Sequence, residues 1–209
     1  IWLGEQHKEA LAVLKYGVLN NQGFLLLTGD VGTGKTTLIN ALVNSLGPDT
    51  LFINVVDPRL DKLDFFKLVA HSFGLEAKLA TKLDFLMAFK DFLYRAHDSK
   101  KNVLLIIDEA QKLSLDSLEE LRLLSNIERQ ETKLLNVFFI GQDEFNDTLT
   151  RPECRALRQR ITIVHHIRTL NETETAQYVK YRLSVAGTQR QVFTNKALKK
   201  IYTFSRGYP

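Results

Sequence analysis

A nine-residue stretch, residues 29–37, constrains the fold of this chain more than any other feature. It reads Gly-Asp-Val-Gly-Thr-Gly-Lys-Thr-Thr and fits the pattern G-x-x-x-x-G-K-[ST]. The apolar run 24–27 precedes it and the run 38–43 follows it, as a buried strand and a helix would. Its glycines let successive backbone N–H groups converge on anionic oxygens. The sequence therefore predicts a strand, a phosphate-binding loop and a helix in that order.

The residue types within this loop suit a bound nucleoside triphosphate. A helix beginning near Lys35 would direct its positive N-terminal end toward the same anionic oxygens. Lys35 would reach the β- and γ-phosphates, and the hydroxyl of Thr36 would ligate Mg²⁺. The sequence therefore predicts ATP and Mg²⁺ as cofactors. The residues expected to bind the nucleotide are Gly29, Asp30, Val31, Gly32, Thr33, Gly34, Lys35, Thr36 and Thr37.

A second predicted strand end carries the acidic half of such a site. The continuous apolar run 103–107 is typical of a strand buried on both faces of a parallel sheet. Asp108 and Glu109 follow it directly, at the strand's carboxyl end, where ligands of open parallel sheets bind. Asp108 would hold Mg²⁺ through its water shell. Glu109 would polarise the water that attacks the γ-phosphate, which makes it the principal catalytic candidate.

Strands and helices alternate along most of the chain, which predicts an α/β fold with a doubly wound, parallel, five-stranded sheet. The expected strands are 24–27, 51–56, 103–107, 136–140 and 161–167, and the expected helices include 5–16, 61–73, 83–97 and 114–128. Near residue 170 the alternation stops, and two helices follow without a strand between them. We therefore predict a nucleotide-binding domain over residues 1–169 and the start of a small helical lid over residues 170–209.

Composition excludes several classes of protein. The hydrophobic fraction of 44% and the charged fraction of 25% are ordinary for a globular protein that dissolves in water. A single cysteine, Cys154, excludes an internal disulfide and fits a reducing compartment such as the cytoplasm. No apolar run approaches the length that crosses a bilayer, so no membrane span is expected within this sequence. The chain begins at Ile1 and stops within an unfinished pattern, so we expect a fragment of a longer protein.

The net charge of +4 conceals an asymmetry along the chain. Residues 1–150 carry 16 Lys/Arg against 21 Asp/Glu, a balance of −5, whereas residues 151–209 carry 12 against 3, a balance of +9. The basic portion could meet nucleic acid, an acidic membrane surface or the acidic portion of a neighbouring copy. It could equally be a solvated face that only aids solubility.

Together these stretches resemble an AAA+ ATPase, and specifically the general secretion pathway A-type ATPases. Pilus-biogenesis ATPases and the ATPase subunits of some transposition systems are similar over the same span. The resemblance covers nearly the whole chain and implies a P-loop AAA+ fold with a helical lid. The stretches that carry it are 9–17, 23–37, 108–111, 119–126, 157–161, 174–175 and 182–187.

The resemblance also implies further site residues. Gln142, after the fourth predicted strand, matches the polar sensor of the γ-phosphate, although Asn or Thr is commoner there. Arg158 and Arg160 lie where this family places the arginine finger that reaches a neighbouring subunit's γ-phosphate, and the sequence favours Arg160. Asn54 or Asp57 is expected to restrain Glu109 until ligand arrives. The lid's sensor arginine is expected after a Gly-x-Pro stretch, which is where this chain ends.

Partners and location follow from the same resemblance. It implies a homo-oligomer, a ring or dimer in which one subunit's arginine completes the next one's site. It also implies a secretion or pilus assembly protein as client, and a cytoplasmic location at the inner face of the bacterial inner membrane through parts of the protein outside this sequence. Two other functions stay open. One is a DNA-dependent ATPase of the transposition type, and the other is a nucleotide-gated interaction module with negligible turnover.

Structural roles are expected for four further aromatic and histidine residues. His165 and His166 lie within the last predicted strand, and no Cys or Asp is arranged around them in the sequence, so we expect structural roles rather than a metal site. Trp2 and Tyr16 could contact adenine, but packing of the N-terminal helix is the expected role.

Overall fold

A computed structural model describes residues 1–75, 80–129, 132–188 and 190–209 of the chain. Its strands are β1 (Phe24–Gly29), β2 (Thr50–Val55), β3 (Asn102–Ile107), β4 (Glu128–Arg129), β5 (Thr132–Lys133), β6 (Asn136–Gly141) and β7 (Ile161–Ile167). In the described part, five of them form one parallel sheet in the order β2-β3-β6-β1-β7. The short strands β4 and β5 pair antiparallel by themselves. The predicted five-stranded parallel sheet is thus confirmed.

The helices connect these strands and cover both faces of the sheet. They are α1 (Glu5–Leu19), α2 (Lys35–Ser45), α3 (Lys62–Ser72), α4 (Lys82–Asp98), α5 (Leu115–Leu124), α6 (Asp143–Thr150), α7 (Arg155–Arg158), α8 (Glu172–Val185) and α9 (Asn195–Ser205). Short 3-10 turns occupy Ala110–Lys112 and Pro152–Cys154. No helix in the described ranges is long and apolar enough to cross a membrane.

The central strand β3 shows why this sequence makes a sheet with helices on both sides. Successive side chains of a strand point to opposite faces. Val103, Leu105 and Ile107 belong to one hydrophobic cluster, with residues of α3, α4, α5 and α6. Leu104 and Ile106 belong to a second cluster, with residues of α1 and α2. Because both faces of β3 are buried, the residues that point to either face must be apolar. This explains its unbroken apolar run.

One predicted helix ends earlier than expected, and one observed helix was not predicted. The helix predicted over 114–128 ends at Leu124, because the Ser125 hydroxyl donates to the carbonyl of Arg122 and the following N–H groups form a tight turn. Glu128 then begins β4 rather than ending a helix. Helix α6 was not predicted at all. It is eight residues long, and it buries only Phe145 and Leu149.

The C-terminal helices return the end of the chain to the sheet. After β7 the chain forms α8 and α9, which pack on each other. Gly207 follows α9 with φ of +81°, and its carbonyl accepts a hydrogen bond from the Leu170 N–H at 2.9 Å. A side chain at this position would collide, since a Cβ would lie 2.0 Å from the Leu170 carbonyl oxygen. This contact brings Tyr208 and Pro209 to the carboxyl edge of the sheet.

Candidate nucleotide-binding site

Three neighbouring strands end at the same edge of the sheet, and each delivers one predicted part of the site. Strand β1 leads into the loop 29–37, β3 into Asp108 and Glu109, and β6 into Gln142. Together they form a pocket of about 370 Å³. Its lining consists of Val31, Gly32, Gly34, Lys35, Thr36, Thr37, Asp108, Glu109, Gln142 and Pro209. The fold therefore brings together residues that the sequence holds more than 100 positions apart.

The loop itself is shaped by glycine and by buried contacts beneath it. Gly34 immediately precedes α2 with φ of +96°, a left-handed conformation that glycine adopts without strain. A Cβ there would lie 2.9 Å from Nε2 of His7, so glycine also permits a close approach. Inside the loop the hydroxyl of Thr33 donates to the carbonyl of Asp30 at 2.8 Å. Helix α2 begins at Lys35, so its N-terminal end faces the pocket.

Lys35 is folded back onto its own loop. Its Nζ donates to the carbonyls of Gly29 at 2.7 Å and Asp30 at 2.8 Å. Burial lowers the pKa of Lys35, while Glu109 and Asp108 oppose that effect by attraction. The ammonium therefore has carbonyl partners that phosphate oxygens can replace, and it already lies in the pocket with both carboxylates.

Asp108 and Glu109 differ in their surroundings. Burial raises the pKa of Asp108, although its Oδ1 accepts the Glu109 N–H at 2.8 Å. Together with Thr36 in the same pocket, Asp108 supplies the oxygen ligands that Mg²⁺ prefers. Glu109 has φ of +53°, and its Oε2 accepts hydrogen bonds from Gln111 Nε2 at 2.9 Å and Lys112 Nζ at 3.1 Å.

These two partners of Glu109 correct one prediction. Neither Asn54 nor Asp57 restrains Glu109. Asp57 instead pairs with Arg59 at 2.6 Å, and the hydrogen bonds from that guanidinium lower the pKa of Asp57 to about 2. Sequence reasoning missed Gln111, although it lies in the acidic motif 108–111. Its other amide atom, Oε1, accepts the backbone N–H of Gln142 at 3.1 Å.

The two candidate finger arginines lie outside this pocket, in and after α7. Arg160 is half-buried, and its Nη1 donates to the carbonyl of Arg122 at 3.3 Å, to Ser125 Oγ at 3.1 Å and to Asn126 Oδ1. These acceptors lie in the last turn of α5 and directly after it. Arg158 is exposed, and among the described residues its guanidinium has no hydrogen bond or ion pair.

His7 is a second residue that the sequence did not single out. It is only 5% exposed, and its Nε2 lies 3.0 Å from the carbonyl of Thr33, under the loop. A carbonyl only accepts, so Nε2 donates this hydrogen bond, and the buried Nδ1 has no hydrogen-bond partner in the described ranges. The signal was a histidine on the face of α1 that also buries Ala10 and Leu14.

Of the remaining candidates, His166 and Trp2 have structural contacts, whereas Tyr16 is exposed. His166 Nδ1 lies 3.1 Å from Thr28 Oγ1 and 3.4 Å from Asp143 Oδ1. No metal-binding group of three His, Cys, Asp or Glu residues occurs in the part of the chain that the structure describes. Trp2 packs edge-on against Tyr178 with ring centroids 5.5 Å apart, whereas Tyr16 is 61% exposed.

In this parallel sheet the phosphate loop follows β1, and the acidic pair follows β3, which lies two strands away from β1. This arrangement defines a P-loop ATPase of the AAA+ class. The chain belongs to the AAA domain family, whose pattern matches residues 18–149. It is 39% identical over its whole length to the general secretion pathway protein A of Aeromonas hydrophila. It spans 38% of that relative's length.

Solved structures of low identity share the fold. The ORC2 protein of Aeropyrum pernix, solved as ADPNP-ADP complexes, superposes with a TM-score of 0.67 at 21% identity, over 90% of this chain and 53% of that one. A Walker-type ATPase of Pyrococcus abyssi gives a TM-score of 0.67 at 15% identity, over 97% of this chain and 64% of that one. The predicted AAA+ fold is thus confirmed.

Proposed function

We propose that this chain binds ATP with Mg²⁺, hydrolyses it, and uses the energy to assemble or remodel a secretion- or pilus-type complex. The observation that carries the proposal is the convergence of the loop 29–37, Asp108, Glu109 and Gln142 on one pocket at the carboxyl edge of the sheet. The AAA domain family and the relative named for general secretion support the ATPase and the client, respectively.

Each residue of the pocket has a defined task in this proposal. The loop amides and the N-terminal end of α2 cradle the phosphates, and Lys35 exchanges its loop carbonyls for β- and γ-phosphate oxygens. Thr36 and Asp108 hold Mg²⁺, which neutralises charge on the phosphates. Glu109 orients and polarises the attacking water, and Gln142 contacts the γ-phosphate or that water. Positioning and electrostatics supply most of the catalysis of such a transfer.

A neighbouring copy completes the site in this proposal. Arg158 is the better candidate for the finger, because Arg160 is already bound to the end of α5 in its own subunit. An exposed, permanently charged guanidinium suits contact with a γ-phosphate across an interface. The basic residues 151–209 would then face the acidic residues 1–150 of the next copy in a ring or dimer.

The same proposal assigns the parts of the chain and its place in the cell. Residues 1–169 form the nucleotide-binding domain, and residues 170–209 begin a helical lid that contacts the phosphate loop through Tyr208. The domain works in the cytoplasm, and portions of the longer protein bring it to the inner face of the inner membrane. A DNA-dependent ATPase is the second candidate, favoured by the charge of +9 on residues 151–209.

Glu109→Gln tests the proposed chemistry. The amide keeps the shape of the side chain but cannot polarise water, so we expect ATP binding to persist while turnover falls at least about 100-fold. The measurement is steady-state phosphate release beside titration with a fluorescent ATP analogue. Glu9→Gln, an exposed acid on α1, is the matched control and should behave as the unsubstituted protein. Unchanged hydrolysis in Glu109→Gln would remove Glu109 from this role.

The same ATPase assay separates the proposed secretion- or pilus-type function from that of a DNA-dependent ATPase. For a self-assembling motor, the specific rate should rise with protein concentration and ignore added duplex DNA. A rate that stays low until DNA is added, and that falls again as salt is raised, would assign the chain to the transposition type instead.

A further inference from the structure

One amide side chain joins the acidic pair to the end of the neighbouring strand. Gln111 lies in the 3-10 turn Ala110–Lys112, directly after the strand end that carries Glu109. Its Nε2 donates to Glu109 Oε2 at 2.9 Å, and its Oε1 accepts the Gln142 N–H at 3.1 Å. A single planar group therefore connects a side chain after β3 with the backbone after β6.

The chemistry of the two partners fixes the orientation of this amide. The carboxylate of Glu109 only accepts hydrogen bonds, and the backbone N–H of Gln142 only donates. A flipped Gln111 would place its oxygen against the carboxylate and its NH₂ against the N–H, losing both contacts. Glutamine is the residue type that satisfies a donor and an acceptor at once with this reach. Glutamate and methionine each lose at least one of the two contacts.

The backbone on both sides accommodates the connection. Gly141 lacks a side chain where a Cβ would lie 3.2 Å from Gln111 Oε1, closer than most such contacts, so glycine leaves room for the amide. Glu109 adopts φ of +53°, a left-handed conformation that strains a residue other than glycine. The Lys112 N–H donates to the Glu109 carbonyl at 2.8 Å and helps to hold that conformation.

Lys112 contacts the same carboxylate oxygen but cannot replace Gln111. Its Nζ lies 3.1 Å from Glu109 Oε2, at the end of a side chain that is 37% exposed. An ammonium is a point charge on a flexible stem and gives little direction to its partner. The amide of Gln111 is planar and anchored at its far side by Gln142. The direction of the carboxylate is therefore set by Gln111.

We propose that Gln111 is a positioning residue that anchors Oε2 of Glu109 to the end of β6. Anchoring one oxygen leaves the other, Oε1, to accept the proton of the attacking water. Gln111 also binds the backbone of Gln142 and so links Glu109 to Gln142. Contact of the γ-phosphate with Gln142 would therefore be transmitted to the carboxylate of Glu109 through the side chain of Gln111. This inference rests on the proposed role of Glu109 in hydrolysis.

Gln111→Met tests this role, since methionine has a similar length and makes neither hydrogen bond. A hydrogen bond to a charged group lost in the transition state corresponds to about a tenfold fall in kcat. KM and the affinity for a fluorescent ATP analogue should stay within about twofold, because phosphate binding is untouched. Gln177→Met, an exposed glutamine on α8, is the matched control. Thermal melting checks that each variant folds.

Two further variants decide the outcome. Gln111→Glu keeps the acceptor for Gln142 but turns a second carboxylate toward Glu109, so kcat should fall as in Gln111→Met. If either variant folds and its kcat equals that of the unsubstituted protein, the proposal is overturned. In the Glu109→Gln background, Gln111→Met should cause no further loss, and a full additional tenfold loss would show that Gln111 acts elsewhere. If Glu109→Gln itself leaves turnover unchanged, the proposed function fails first and this inference with it.

Discussion

At the scale of single residues, the site contains a charge that the fold does not fully stabilise. Burial raises the pKa of Asp108, even though the Glu109 N–H and Lys35 favour its charged form. A carboxylate in this state suits a divalent cation, which would supply the missing positive charge. In the absence of ligand, the charged form of Asp108 therefore destabilises the folded protein.

Asp108→Asn should therefore stabilise the ligand-free chain while it impairs Mg²⁺-dependent turnover. Because the pKa of Asp108 is raised on folding, its contribution to stability is complete below the ordinary value of 3.8 and is lost as pH rises through the folded value. The amide removes that loss and keeps an acceptor for the Glu109 N–H. At pH 7 we expect Tm to rise by about 2–4 °C, the shift that ~1 kcal/mol produces in a chain of this size. Solvent screening at this half-exposed site keeps the effect modest.

The pH dependence provides the control for that variant. The difference in Tm between Asp108→Asn and the unsubstituted protein should shrink as pH falls and vanish below 3.8, where the carboxyl becomes protonated in the folded and the unfolded state. Asp91→Asn, at an exposed position of α4, should leave Tm unchanged across the same range. A lower Tm for Asp108→Asn at pH 7 would show that its charge stabilises the fold.

At the scale of elements, the sequence predicts best what burial dictates and worst what single hydrogen bonds decide. The run 103–107 predicts β3 because both of its faces must be apolar. The end of α5 depends on hydrogen bonds from Ser125 and Arg160 that no periodicity reveals. Helix α6 is too short to show a helical period, and its first residue follows Gln142, whose side chain makes no capping bond.

Arg160→Ala should reveal the element that this arginine supports. Its guanidinium donates to two side chains and one carbonyl at the C-terminal end of α5, where a cation is also favoured by the helix dipole. Losing these contacts at a half-buried position should cost about 1 kcal/mol and lower Tm by about 2–4 °C. Thermal melting measures this, and Arg158→Ala is the matched control with an expected Tm unchanged. Equal Tm values for both variants would contradict the capping role of Arg160.

At the scale of the whole molecule, the two ends of the chain meet at the phosphate loop. The hydroxyl of Tyr208 donates to Asp30 Oδ2, across 178 positions of sequence, and this hydrogen bond lowers the pKa of Asp30 and raises that of Tyr208. His7 of α1 contacts the same loop at the carbonyl of Thr33. Contacts between such distant residues depend on the finished fold, so the sequence pattern indicated the loop but neither of these two partners.

A site shared between subunits makes a prediction that only mixtures of variants can test. Arg158→Ala should slow turnover at least about 100-fold with little change in ATP affinity, since the finger acts on the developing charge of the transition state. Lys35→Ala should be inactive because its own loop cannot hold the phosphates. Mixed at high concentration, the two should regain part of the activity, because a Lys35→Ala subunit still offers Arg158 to the intact pocket of its neighbour. Glu109→Gln mixed with Lys35→Ala is the control: every pocket is then defective by itself, and no activity should return. Absence of rescue in the first mixture, with both variants folded, would contradict a site completed by Arg158 of a neighbour.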